Sequence, residues 1–282
     1  MFDDLRNFID ISAEEYHADK EILGHSALVE ILKSPKHYFH RISNPHVPTA
    51  SLEFGTALHA ALLEPERFAE TYIVSPKFDR RTKEGKADAA AWEEAHKGAV
   101  SVDEAELKKL QGMQKAVLEH SGAKKLLSKC YVEMSYFWTD EDTGFQCRVR
   151  PDVLALDDQG DVIAAIDVKS TSNASKDKFQ KSVMDYGYDL NAAFYSDAIE
   201  RAIGRRVPYY FLAVESAEPY GVALYKAGQS MLDVGRDKYR SALQLLQWCR
   251  ENDRWPSYQP FGEYEDLEIP EWYARRLLTQ DE

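Results

Sequence analysis

At 282 residues with 44% apolar content and 12% aromatics, the chain suits one large domain with a substantial core. It has no apolar run long enough to cross a bilayer as a helix, and its acidic start lacks the basic-then-apolar order of a secretory signal. Cys130, Cys147 and Cys249 are too few and too scattered for a disulfide framework or a zinc or iron–sulfur site, so the expected setting is cytoplasmic, without a membrane. The net charge of −13 argues against a nucleic-acid partner only until it is located: residues 1–21 and 263–282 each carry −5, which leaves −3 for the middle. Screening over about 8–10 Å limits what those distant acids do to a local basic lining.

In chain order, residues 1–20 read as a loosely structured lead-in. Ser26 is placed to N-cap a helix through Leu32 that ends before Pro35. The His37–Arg41 run reads as aromatic packing, and Asn44–Pro48 as a loop. Residues 51–64 read as a helix stopping before Pro65, with Gly55 and Ala57 allowing close packing and His59 inside its apolar pattern. Lys77 to Lys86 is polar, contains Gly85 and carries a net +3 through Lys77, Arg80, Arg81, Lys83 and Lys86 against Asp79 and Glu84. It reads as a loop, either solvated or in contact with phosphates. Ala87–His96 should be helical. Ser101-x-x-Glu104 reads as a capping box opening a helix that buries Leu107, Leu110, Val117 and Leu118.

Tyr131–Trp138 reads as a first core strand containing Glu133. Phe145, Cys147 and Val149 alternate with Gln146, Arg148 and Arg150 as a half-exposed strand. Ser175–Lys181 is polar and basic through Lys176, Lys178 and Lys181. Asp189–Ile203 reads as a helix closed by Gly204, with Asn191 and Tyr195 one turn apart on one side. Val207–Glu215 and Gly221–Lys226 read as strands, Gln229–Arg250 as a long amphipathic helix, and Glu271–Leu278 as a short helix in an aromatic tail.

The chemistry concentrates between Arg148 and Thr171. Two β-type runs, ending in Pro151-Asp152-Val153-Leu154 and beginning at Ile163, flank the tight connection Asp157-Asp158-Gln159-Gly160. On the second strand Asp167 and Lys169 share one face, roughly 7 Å apart, while Ile166 and Val168 take the other. The hairpin can thus bring Asp152, Asp167 and Lys169 to one spot. Converging carboxylates repel and gain from a shared hard cation, for which few oxygen ligands in an open geometry suggest Mg²⁺ or Mn²⁺. A lysine beside such a cation can orient water, which suits phosphodiester hydrolysis. An Asp-x-Lys pair at a strand end is also a common surface ion pair, but such a pair has no use for the second carboxylate, Asp152.

Pro151-Asp152, fourteen residues, then Asp167-Val168-Lys169 is similar to the PD-(D/E)XK nuclease signature. The wider chain resembles the nuclease domain of RecE-type exonucleases (exodeoxyribonuclease VIII). That resemblance rests on Ile11–His17, Phe54–His59 through Leu63-Glu64-Pro65, Phe78–Thr82 with Gly85-Lys86, Cys147–Asp152, Asp167–Thr171 and Ala193–Asp197.

The resemblance implies an α/β fold with a restriction-endonuclease-like core: a mixed central sheet flanked by helices, with helical additions at both ends. The single nuclease domain would span 1–282, with a helical elaboration at 1–50, the core at 51–226, and a helix and tail at 227–282. His59, Asp152 and Asp167, helped by the Val168 carbonyl, would hold Mg²⁺, with Mn²⁺ able to substitute. Lys169 would position and help deprotonate the attacking water, Glu133 would lie near the metal, and Tyr195 would join the site's hydrogen-bond network. Asn191 stands where the family commonly has Gln, one methylene shorter. Arg80, Arg81, Lys83, Arg148, Arg150, Lys176 and Lys178 would contact DNA.

The implied activity is ATP-independent 5′→3′ digestion of linear double-stranded DNA from its ends, leaving 3′ tails for recombination and repair of the prophage kind. The implied partners are a ring-shaped homotetramer and a single-strand annealing protein of the RecT type. A DNA endonuclease on the same core, or a non-catalytic DNA-binding or assembly module with a vestigial site, remains the alternative.

Overall fold

The computed structural model describes residues 5–44, 49–259, 262 and 264–278. The loop expected at Asn44–Pro48 lies outside these residues except for Asn44.

The lead-in is more ordered than its polarity suggests. Leu5 and Phe8 are buried, and Ser12 closes a capping box with Glu15 at the start of α1 (Ala13–Ala18). The next helix, α2 (His25–Lys33), is capped by Gly24 rather than by Ser26. Pro35 does not merely stop it: with Ser34 as cap, Pro35 opens α3 (Pro35–Ser43), because a missing N–H costs nothing in a first turn. Pro65 repeats this device between α4 (Ala50–Leu63) and α5 (Pro65–Thr71). The aromatic run on α3 packs as expected, with Tyr38 and Phe39 against Trp255 of the tail at 5.9 and 5.0 Å between ring centroids.

Two short strands then pair in parallel, β1 (Tyr72–Ser75) and β2 (Val100–Asp103). Between them α6 (Lys83–Ala95) starts on its cap Thr82, so Lys83 and Lys86 are helical and only residues 77–82 remain loop. Because β2 runs to Asp103, the capping box of α7 (Glu104–Glu119) is Asp103–Glu106, two residues beyond the expected one. Leu110, Met113 and Val117 are buried on α7, whereas Leu118 is exposed. A short helix, α8 (Ser121–Leu127), follows.

The expected strand at 131–138 is broken. Its first part, β3 (Cys130–Val132), pairs with β6 (Val153–Leu156), and its second, β4 (Tyr136–Thr139), pairs with β5 (Gln146–Val149) in a separate ribbon. Glu133 sits at the break with φ 55°, a left-handed backbone that a side chain adopts only under constraint.

The hairpin forms as expected. β6 runs antiparallel to β7 (Val162–Thr171) across the Asp157–Asp161 turn. After β7 the chain crosses over through α9 (Lys176–Tyr186) and α10 (Tyr188–Ile203), with Gly187 at φ 68° turning one helix into the other. It returns as β8 (Tyr209–Glu215), parallel to β7, and then as β9 (Val222–Lys226), antiparallel to β8. The mixed sheet is therefore ordered β3-β6-β7-β8-β9.

Alternation sorts the sheet's two faces. Ala164, Ile166 and Val168 pack toward α4 and α7, while Ala165, Tyr209 and Phe211 pack toward α10. Outside α10 lies α11 (Gln229–Asn252), where a Cβ on Gly235 would stand 2.0 Å from the Asp189 carbonyl oxygen, so only glycine permits that approach. A final short helix, α12 (Glu271–Leu278), ends the described chain. Among the described residues no helix is long and apolar enough to cross a membrane.

Candidate active site

The site begins where the central sheet forks. β6 pairs with β7 only as far as Val153 opposite Ile166, whereas β7 continues along β8 to Thr171. The peptide of Val168 therefore needs new partners on its β6 side. Asp152, just before β6, accepts its N–H at 2.6 Å, and His59 Nε2 on α4 meets its carbonyl at 2.9 Å. This carbonyl, expected to help hold a cation, thus fixes the orientation of the imidazole.

With Nε2 occupied, His59 turns Nδ1 to two carboxylates: Asp152 Oδ1 at 3.6 Å and Glu133 Oε1 at 3.9 Å. One ligand atom from each of His59, Glu133 and Asp152 lies within 4.8 Å of the others. The expected trio instead held Asp167 and left Glu133 beside it. Asp167 pairs with Lys169 and accepts a 3.3 Å hydrogen bond from Asn191 Nδ2. Asn191 therefore reaches the site despite its shorter side chain, and Tyr209 donates its hydroxyl to the Asn191 Oδ1 at 3.4 Å.

The charges are under tension. Burial, together with Asp167, pushes Asp152 up to about 7, against the pull of His59. Burial opposes charge on His59, yet Asp152 and Glu133 carry its imidazole up to about 9. Lys169 is also mostly buried, and Asp167 and Asp152 hold it above the ordinary lysine range, with Tyr188 offering its ring 5.1 Å away. Burial raises Tyr195 well above the usual phenol. Two carboxylates and an imidazole with ligand atoms within 4.8 Å of one another fit a divalent cation of the Mg²⁺ or Mn²⁺ type, which would displace the imidazole proton on binding. His59, Glu133 and Asp152 would hold it, and it would supply Lewis-acid polarisation of a phosphoryl oxygen.

A cleft of about 770 Å³ opens onto these groups, lined by His17, Gly55, His59, Glu133, Lys169 and Tyr188 among others. Gly55 was expected to allow close packing, but a Cβ there would meet nothing within 4 Å; it widens the cleft.

The residues expected to contact DNA divide. Lys176 and Lys178 are exposed on α9, and Lys83 is exposed at the start of α6. Arg80 and Arg81 are exposed but paired, with Glu93 at 2.6 Å and Asp79 at 2.8 Å. Arg148 and Arg150 do not stand on a half-exposed strand. Arg148 is buried and donates to the carbonyls of Tyr16 and Asp19. Arg150 donates to Glu133 Oε2 at 2.7 Å and to the Ile11 carbonyl at 3.0 Å. Sequence reasoning did not single out Tyr188 or His17 for the site; Tyr188 falls just before the helix expected from Asp189, and His17 lies in a polar segment whose docking is not local.

Fold and site together define a PD-(D/E)XK-type, nuclease-class domain. The chain belongs to the family described as "PDDEXK-like domain of unknown function (DUF3799)", which it matches over residues 24–267. It is also similar in fold to a crystal structure from Eubacterium rectale named "Putative exonuclease", with a TM-score of 0.62 at 12% identity, covering 94% of this chain and 98% of that one. No curated protein matches it.

Proposed function

We propose that the protein hydrolyses phosphodiester bonds of linear double-stranded DNA as a Mg²⁺-dependent exonuclease, with Mn²⁺ able to substitute. The observation that carries this reading is the convergence of His59, Glu133 and Asp152 beside the Asp167–Lys169 pair at the sheet fork. In this reading His59, Glu133 and Asp152 hold the cation. Lys169 Nζ, kept charged and aimed by Asp167, orients the attacking water and favours its deprotonation by stabilising the negative charge that develops on it. Asn191 keeps Asp167 turned toward Lys169, and the Tyr188 ring shields that ammonium from bulk water.

The finer reading is that of a RecE-type enzyme: 5′→3′ polarity without ATP, 3′ single-stranded products for recombination, a homotetrameric ring and a RecT-type annealing partner. The sequence segments that resemble RecE support it, and the name of the E. rectale structure supports only its exonuclease part. The deciding experiment incubates linear and covalently closed circular DNA with Mg²⁺ and with chelator. Digestion of the linear form alone is the expected result. Nicking or linearisation of the circle would make the protein an endonuclease, and two intact substrates would leave a binding module.

A further inference from the structure

We infer that Arg150 is a positioning residue that couples the cation site to the N-terminal segment 11–18; this inference rests on the cation reading above. The guanidinium is nearly enclosed, with 9% of its side chain exposed. Such a buried charge must find acceptors, and it finds them in two places at once. Its Nε holds Glu133 Oε2 at 2.7 Å, which leaves Oε1 as the oxygen facing His59. Its Nη1 donates to the carbonyls of Ile11 at 3.0 Å and Ser12 at 3.3 Å, where the chain enters α1.

The segment so held is part of the site. Ala13 and His17 of α1 line the cleft, and the Tyr16 ring lies under both guanidiniums, 4.8 Å from Arg148 and 5.5 Å from Arg150. Arg148 also grips the segment through Tyr16 and Asp19 but is hydrogen-bonded to none of the three candidate ligands. Arg150 has one hand on the wall and one on a ligand. That hand matters to Glu133, whose backbone sits in the left-handed region at the break between two strands and donates its N–H to the Asp152 carbonyl at 3.1 Å.

A cation that fixes Glu133 therefore fixes Arg150, and through it the cleft wall. By reciprocity, loosening the wall must weaken the cation by the same factor. The role is geometric, since lysine would keep the charge but cannot form the fork.

The test measures hydrogen exchange of the amides in residues 11–18, and Mn²⁺ binding by titration calorimetry, in wild type, Arg150→Lys and Tyr16→Leu, with DNA absent. Mn²⁺ should slow exchange in wild type but not in Arg150→Lys. Tyr16→Leu, which touches no candidate ligand, should bind Mn²⁺ about fivefold or more weakly while keeping wild-type circular dichroism. If wild type binds Mn²⁺ and exchange at 11–18 does not change, or if Tyr16→Leu binds like wild type, the coupling is overturned and the cation site stands. If wild type binds no Mn²⁺, the cation site falls and takes the coupling with it.

Discussion

Asp152 illustrates how one residue is shaped for chemistry at a cost to stability. Its Oδ2 closes the sheet fork through the Val168 N–H, while burial and the neighbouring Asp167 make its charge unfavourable. Asn keeps an acceptor for that N–H and removes the charge. Asp152→Asn is therefore expected to leave the thermal midpoint in chelator unchanged or higher, and to lower the Mg²⁺-dependent cleavage rate by about 100-fold or more. Parallel melting curves and cleavage assays check this, and a variant that melts like wild type yet cleaves at full rate would remove Asp152 from the site. The same scale separates the surroundings of Asp167 from those of Glu133. Both are carboxylates on or beside core strands, but Lys169, two residues along on the same strand face, claims Asp167, whereas Glu133 is turned by its backbone toward α4.

Among the elements, the lead-in is more ordered than expected, while the basic loop remains largely exposed. Phe8 is 5% exposed and packs 5.7 Å from Tyr136 between ring centroids, so the segment before α1 contributes side chains to the core. Phe8→Ala should cost about 3 kcal/mol in denaturant unfolding; a loss under about 1 kcal/mol would return the segment to a loose lead-in. The loop at 77–82 keeps its net positive character, yet Arg80 and Arg81 each face an acid. Exposed pairs of this kind exchange partners readily. Replacing both arginines by Ala should leave the melting temperature nearly unchanged and reduce the salt slope of DNA binding by about one unit per lost phosphate contact. An unaltered slope would make this loop plain solvated surface.

For the whole molecule, the site is a meeting point of separate elements: His59 from α4, Glu133 from the broken strand, Asp152 and Lys169 from the hairpin, and Asn191 from α10. A cation bound there links these parts of the fold. At a hundredfold excess over its dissociation constant it should stabilise the chain by about 2.7 kcal/mol. For a chain of this size that is a rise in melting temperature of roughly 5–10 °C. Differential scanning calorimetry with Mn²⁺ against chelator measures it; coincident transitions would mean that the carboxylates and the imidazole hold no metal.

What the sequence determined by itself is what local periodicity can report. The hairpin, the helix of His59 and the long α11 were legible because alternation or helical spacing, with turn and cap residues at their ends, specifies each element without its neighbours. Tertiary structure decided which face is covered and by what. Arg148 and Arg150 alternate with apolar residues and read as exposed, but the Tyr16 segment, more than 130 positions away, lies over them. The parallel pairing of Tyr72–Ser75 with Val100–Asp103 places β2 across the expected capping box, and no local pattern encodes such a register. The fracture at Glu133 has the same origin. The run 131–138 is continuous in sequence, while its two halves find hydrogen-bonding partners in different sheets, and Glu133 left between them lines the cleft.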